Sequence, residues 1–167
     1  MESDKAKQTV KIAVVGDTHG RIEAITRELK KIAINHFIFT GDFYSDAKRI
    51  SHHAQTSFDG VLGNCDPYDH NLHEELFLEI ADKKIYIVHG HQYNVKRDLH
   101  RLFYRAQELG AHIVIYGHTH MANCEYIEDI LFINPGSPSR PRGGSEATYI
   151  LLEIGENILK PEIILID

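Results

Sequence analysis

The sequence has no tryptophan, and its 167 residues include only two cysteines, Cys65 and Cys124. Such a pair does not read as a disulfide framework, so stability must come from a packed core. A chain of this length buries about 70% of its unfolded surface and needs no structural metal or cross-link to fold. No apolar stretch approaches the roughly 20 residues that span a bilayer. The residues before Val10 are polar rather than leader-like, so no membrane contact and a cytoplasmic location are expected. Basic residues are also in short supply: 18 Lys and Arg face 24 Asp and Glu, a formal net charge of −6. They form no long run, which disfavours extended nucleic acid as a partner. A nucleotide substrate is still compatible, because a metal site supplies its own positive charge. Low-complexity segments, internal repeats and linker-like Pro/Gly/Ser stretches are missing too. The expectation is a flexible polar terminus over residues 1–9 and a single domain over 10–167.

What is present is an alternation of apolar runs. Val10–Val15 reads as a buried strand ending at Gly16. Ile22, Ile25, Leu29 and Ile32 recur at helical spacing. A second strand is expected over His36–Thr40, a helix over 45–55 with Ser45 as its N-cap, and a third strand over Asp59–Leu62. Glu75–Ile80 and Lys84–His89 flank Ala-Asp-Lys as an antiparallel hairpin. Asn94 is expected to cap a helix that ends at Gly110, with Val95, Leu99, Leu102, Phe103 and Ala106 inward. His112–Tyr116 is another strand. Segments 123–133 and 147–166 are strands joined by turns at Glu128-Asp129 and Gly155-Glu156-Asn157. Two packed sheets flanked by helices accommodate this order.

The twelve histidines matter through their positions. Strand ends run into Gly16-Asp17-Thr18-His19-Gly20, Gly41-Asp42, Gly63-Asn64-Cys65-Asp66, His89-Gly90-His91 and Gly117-His118-Thr119-His120. In open α/β sheets ligands bind at the carboxyl ends of strands, where loops converge. Glycine permits sharp turns and close backbone approach there. Asp, Asn and His donors suit divalent Mn, Fe, Zn or Ni. Asp17, His19, Asp42, Asn64, His89, His118 and His120 make seven candidates, more than one mononuclear site needs. Two ions sharing a carboxylate would use them all, at the spacing of about 3.5–4 Å that clamps a phosphoryl group.

The ordered motifs Asp-x-His, Gly-Asp, Gly-Asn-x-Asp, Gly-His and Gly-His-x-His resemble the calcineurin-like metallophosphoesterase superfamily. The short chain, the Cys65 variant of the third motif and Ile133-Asn134-Pro135-Gly136-Ser137 are similar to its compact YfcE-like phosphodiesterases. The resemblance covers residues 12 to about 138. It implies a four-layer α/β/β/α sandwich of two mixed sheets flanked by helices. It further implies two divalent ions, Mn foremost, that generate a bridging hydroxide for in-line attack on a small phosphate ester. Asp17, His19 and His120 would hold one ion, Asn64, His89 and His118 the other, and Asp42 would bridge. Many members of the superfamily carry histidine where this chain has Cys65. A thiol near pKa 8.5 is a poorer acid than imidazolium near 6.5, so phosphodiesters or good leaving groups are expected to be favoured over alkyl monoesters.

Other residues have two readings each. Cys65 is a catalytic participant or an apolar filler; Asp66 orients a ligand or holds a turn. His91 and Arg140, with Arg142, contact substrate phosphate or are loop and surface residues. The competing functions are a phosphomonoesterase with the same metals and a scaffold like the retromer vacuolar-sorting subunit. A homodimer is allowed by the sequence but no feature demands it.

Overall fold

A computed structural model describes residues 9–167. The flexible terminus expected over residues 1–9 therefore lies, Thr9 apart, outside the described residues. Among the described residues ten strands form two five-stranded sheets. The first has the order β10(Ile158–Leu165), β9(Thr148–Gly155), β1(Val10–Val15), β2(His36–Phe39), β3(Ser57–Gly60). The second has the order β4(Glu75–Ile80), β5(Lys83–Val88), β6(Ile113–Ile115), β8(Ile130–Pro135), β7(Ala122–Ile127). Each contains three parallel strands: β1, β2 and β3 in the first, with antiparallel β9 and β10 added beside β1, and β5, β6 and β8 in the second, flanked by antiparallel β4 and β7.

Strand periodicity explains the layering. Ile12 and Val14 face the second sheet, where they meet Ile85, Ile87, Ile113, Ile115, Leu131 and Ile133. The alternate residues Ala13 and Val15 face the other way and pack with Ile25 and Leu29 of α1(Glu23–Lys31) and Ile50 of α2(Tyr44–Ala54). On the far side, Tyr86, Val88, Val114 and Phe132 pack under Leu102 and Ala106 of α3(His100–Leu109). Central strands buried on both faces read as continuous apolar runs, and that is what β1 and β5 are. The result is the expected four-layer α/β/β/α sandwich. No helix among the described residues is long and apolar enough to cross a membrane.

Several element boundaries differ from expectation, each for a physical reason. Ser45 is not the cap of α2, which begins one residue earlier, after Phe43 in left-handed conformation (φ 69°). Its first-turn donor Tyr44 N is met instead by Asp66 Oδ1 at 2.6 Å, a cap supplied from 22 residues away. Asn94 does not start a helix. It closes a single 3-10 turn, His91–Tyr93, at φ 54°, and α3 begins only at His100. Val95 is nonetheless buried, packed so closely on Gly90 that a Cβ there would lie 2.8 Å from its Cγ2. Burial periodicity reports which residues face inward, not whether the backbone between them is helical. Strand β3 ends at Gly60, and Val61 and Leu62 stay buried beyond its pairing with β2. His112 precedes β6 and accepts the Lys84 N–H through Nδ1 at 2.9 Å.

Candidate metal centre

The parallel strands of both sheets deliver their carboxyl ends to one edge of the sandwich. Asp17 and His19 follow β1, Asp42 follows β2, Asn64 follows β3, His89 follows β5, and His118 and His120 follow β6. Tertiary structure gathers their ligand atoms into two groups that share one carboxylate. Asp17, His19, Asp42 and His120 present theirs within 4.8 Å of one another, as do Asp42, His89 and His118. Asn64 joins the second group, its Oδ1 3.1 Å from His89 Nε2.

Glycine is needed where these loops press together. A Cβ on Gly63 would fall 2.1 Å from Asp42 Oδ1, and one on Gly41, at φ 105°, only 2.8 Å from His89 Nδ1. The candidate ligands themselves are held in unusual backbone. Asp17, His19, Asp42, His118 and His120 all have φ between 47° and 70°. Each such non-glycine residue costs about 1–3 kcal/mol and persists only where surrounding contacts impose it.

Those contacts are visible. Asp17 Oδ2 accepts the His118 N–H at 2.9 Å, and the Asp17 carbonyl accepts the Ser137 hydroxyl at 2.8 Å. Asp42 Oδ1 accepts the Cys65 N–H at 2.9 Å. Buried Asp46 Oδ2 takes both the Thr18 hydroxyl and the Gly20 N–H at 2.7 Å, bracing the loop that carries Asp17 and His19. Asn134 donates to Gly117 O at 3.1 Å and to Thr119 Oγ1 at 3.0 Å, bracing the loop of His118 and His120. Asp46, Asn134 and Ser137 escaped the sequence reading as supporting residues. Only Asn134 and Ser137 carried a signal, as part of the Asn-Pro-Gly-Ser stretch.

Two carbonyls orient the imidazoles. His89 Nδ1 donates to Thr40 O at 2.8 Å and His120 Nδ1 donates to Arg140 O at 2.7 Å. Both rings therefore turn Nε2 toward the carboxylates. His120 Nε2 lies 3.4 Å from Asp17 Oδ1 and 3.2 Å from His19 Nε2, and His89 Nε2 lies 3.4 Å from Asp42 Oδ1. Asp17 Oδ1 is fully buried and has no hydrogen-bond partner among the described residues. A buried carboxylate oxygen without a hydrogen-bond donor is unfavourable unless a positive charge lies beside it. The residues present thus fit divalent metal, with carbonyl-anchored histidines as metal sites commonly use.

The charges respond to this crowding. Burial would raise the Asp42 carboxyl, but hydrogen bonding and positive charge at His89, with the Cys65 N–H, hold it well below the carboxylate range. Burial opposes a proton on His89, yet Asp42 and Asp17 outweigh it and push that imidazole up. Burial and the neighbouring His89 charge hold His118 down at about 4. Burial, opposed by Asp42, lowers His19, with His120 and Arg140 adding to the effect.

The remaining candidates divide. Asp66 is a turn anchor: its Oδ2 accepts Gly63 N at 2.8 Å while Oδ1 caps α2. Cys65 is exposed, and burial of part of its thiol followed by the Asp42 charge push its pKa up. The His91 ring lies tilted 5.4 Å from that of His89 and edge-on 6.1 Å from that of His118, and its buried Nδ1 has no hydrogen-bond partner among the described residues. Arg140 touches His120 through its carbonyl, and its charge reaches His19. Arg142 contributes main chain, its N–H donating to His120 O at 3.1 Å. Cys124 packs against the inter-sheet core.

Comparison with known proteins gives a consistent picture. A family model described as the calcineurin-like phosphoesterase superfamily domain matches residues 10–157. The chain is similar to the "Probable metallophosphoesterase YsnB" of Bacillus subtilis (strain 168), 34% identical over 86% of this chain and 83% of that one. It is also similar to the "Phosphodiesterase YfcE" of Escherichia coli (strain K12), 28% identical over 86% of this chain and 88% of that one. Among solved structures, wild-type Vps29 from Entamoeba histolytica, complexed with zinc, superposes with a TM-score of 0.75 at 23% identity, covering 93% and 99% of the two chains. That last likeness concerns the fold alone.

Proposed function

The chain belongs to the calcineurin-like phosphoesterase superfamily, and from that premise we propose that it is a phosphodiesterase with a two-metal centre acting on a small phosphorylated substrate. The observation that carries the reading is the shared carboxylate. Asp42 belongs to both candidate ligand groups, and Asp17 Oδ1 is left without a partner beside it. Asp17, His19 and His120 would hold one divalent ion and Asn64, His89 and His118 the other, with Asp42 between them. Bound there, a pair of ions, Mn foremost and Fe, Zn or Ni by the same donor chemistry, would neutralise phosphoryl charge and acidify an attacking water.

The chain's own residues supply position and selectivity. Thr40 O and Arg140 O fix which imidazole nitrogen faces the centre. His91, next to His89 and His118, and the Arg140 guanidinium are proposed to meet the non-bridging oxygens of the substrate. Cys65 follows Asn64 on the open side of the second group. It offers a thiol where an imidazolium would protonate a poor leaving group, and this favours diesters with acidic leaving groups over alkyl monoesters. The phosphodiesterase designation of the Escherichia coli relative supports the same preference.

The test is hydrolysis of bis-p-nitrophenyl phosphate and p-nitrophenyl phosphate by metal-stripped protein, with and without Mn²⁺. Mn²⁺-dependent cleavage preferring the diester is expected, and Cys65→His should raise the monoester rate relative to the diester rate. Monoester preference in the wild type would move the assignment to a phosphatase. Inactivity on both, with no metal uptake by calorimetry, would leave the scaffold reading that the Vps29-like fold permits.

A further inference from the structure

Away from the metal centre, a groove of about 540 Å³ lies between α1 and α2 on the outer face of the first sheet. That volume lies within the range of small-ligand sites, about 300–1,000 Å³. Arg27, Lys30 and Lys31 of α1 line it together with Arg49 and His53 of α2, against a single lining carboxylate, Glu23. This is a concentration of positive charge in a chain whose formal net charge is −6. Its local neutralisation is incomplete. Lys31 pairs with Glu28 at 2.8 Å and Arg49 with Asp46 at 3.1 Å. Arg27 donates to a main-chain oxygen of Asp167 at 3.1 Å, and Lys30 has no ionic partner among the described residues. A second, independent feature points the same way. Thr26, only 8% exposed, lines the groove, and its Oγ1 is buried without a hydrogen-bond partner among the described residues. A buried hydroxyl in that condition costs about 1–3 kcal/mol, which an incoming acceptor would remove.

We infer that the α1–α2 groove is a binding site for a small, multiply charged phosphorylated anion, separate from the metal centre. Guanidinium and ammonium groups of α1 and a guanidinium of α2 line it together, which suits the several oxygens of linked phosphates better than one planar carboxylate. Thr26 contributes the one hydroxyl among the side chains that line it. The volume holds more than a single phosphate group.

The experiment is calorimetric titration of the full, metal-stripped chain with inorganic triphosphate at low ionic strength, with amide NMR shifts to locate the contact. Working without metal separates this site from the two-metal reading, so either can fail alone. One-site binding is expected, with shifts centred on residues 23–31 and 49–53. Lys30→Glu, at an exposed position, should weaken binding by at least about tenfold, and Thr26→Val by several-fold. Binding that both variants leave unchanged would overturn the inference. So would shifts confined to residues 42–43 and 117–120, equal affinity for citrate, or no binding at all.

Discussion

Between the two sheets, Ile12, Val14, Ile87, Ile115 and Leu152 close a seam of fully buried aliphatic side chains on extended backbone. At the carboxyl edge of the same strands the pattern inverts. Buried residues there are Asp17, Asp42, His89 and His120, three of them with positive φ. Acceptor atoms face one another instead of methyl groups. The seam gains free energy from water exclusion and close packing. The edge accumulates backbone strain and unsatisfied charge, and remains ordered because the seam and a layer of supporting hydrogen bonds hold it. A region that is locally unfavourable yet sharply ordered is what a cation-binding edge requires.

This contrast can be broken at either end. The largest effect is expected from Asp42→Asn, which keeps an acceptor for Cys65 N but removes the charge shared by both ligand groups. Mn²⁺-dependent diester hydrolysis should fall by more than about a hundredfold, beyond the 10–100-fold typical of residues that merely support ligands. Steady-state assays under saturating metal would check it. At the opposite pole, Leu152→Ala opens a cavity in the seam and should cost about 2–5 kcal/mol in urea unfolding. Turnover per folded molecule should stay within about twofold. If turnover collapsed as well, the two regions would not be separable.

Asp66 sits where the regions meet, binding Tyr44 N and Gly63 N without joining either ligand group. Asp66→Ala should lower stability by about 1–3 kcal/mol and weaken metal binding through Asn64, with Asp66→Asn losing less on both counts. Denaturation and metal titration of the same samples would compare them. The smallest expected effect has the opposite sign. Asp17→Asn can keep an acceptor for His118 N while turning an N–H toward His120 Nε2, where an unpartnered oxygen now stands. In metal-free protein its melting temperature should rise by about 2–4 °C, the shift that 1 kcal/mol produces in a domain of this size. A fall would mean that the edge is not strained by its own acceptors.

Much of the fold was legible because burial on both faces writes itself as apolar runs. Val10–Val15 and Ile85–Val88 needed no context to be read as strands. The seven candidate ligands were legible because each lies within three residues of a glycine at a strand end in a recurring pattern. What escaped depends on long-range partners. The cap of α2 comes from Asp66, not from Ser45, because a carboxylate distant in sequence reaches Tyr44 N. The start of α3 at His100 was hidden because Val95 and Leu99 keep helical spacing while the chain between them is irregular. Asp46 gave no signal, since a loop brace is defined only by the loop it braces. The groove between α1 and α2 was equally silent, its cations lying on two separate helices.

Sequence by itself determined the alternating strands and helices, the glycine-punctuated strand ends and the donor chemistry of the residues that follow them. These are properties of local backbone freedom and side-chain type, and they travel with the residues wherever the chain goes. Only tertiary structure decided that Asp42 would be shared, that carbonyls of Thr40 and Arg140 would aim two imidazoles, and that Asp17 Oδ1 would be sealed without a partner. Those are relations between loops brought together by the packing of two sheets, and distance in space is not written in the order of residues.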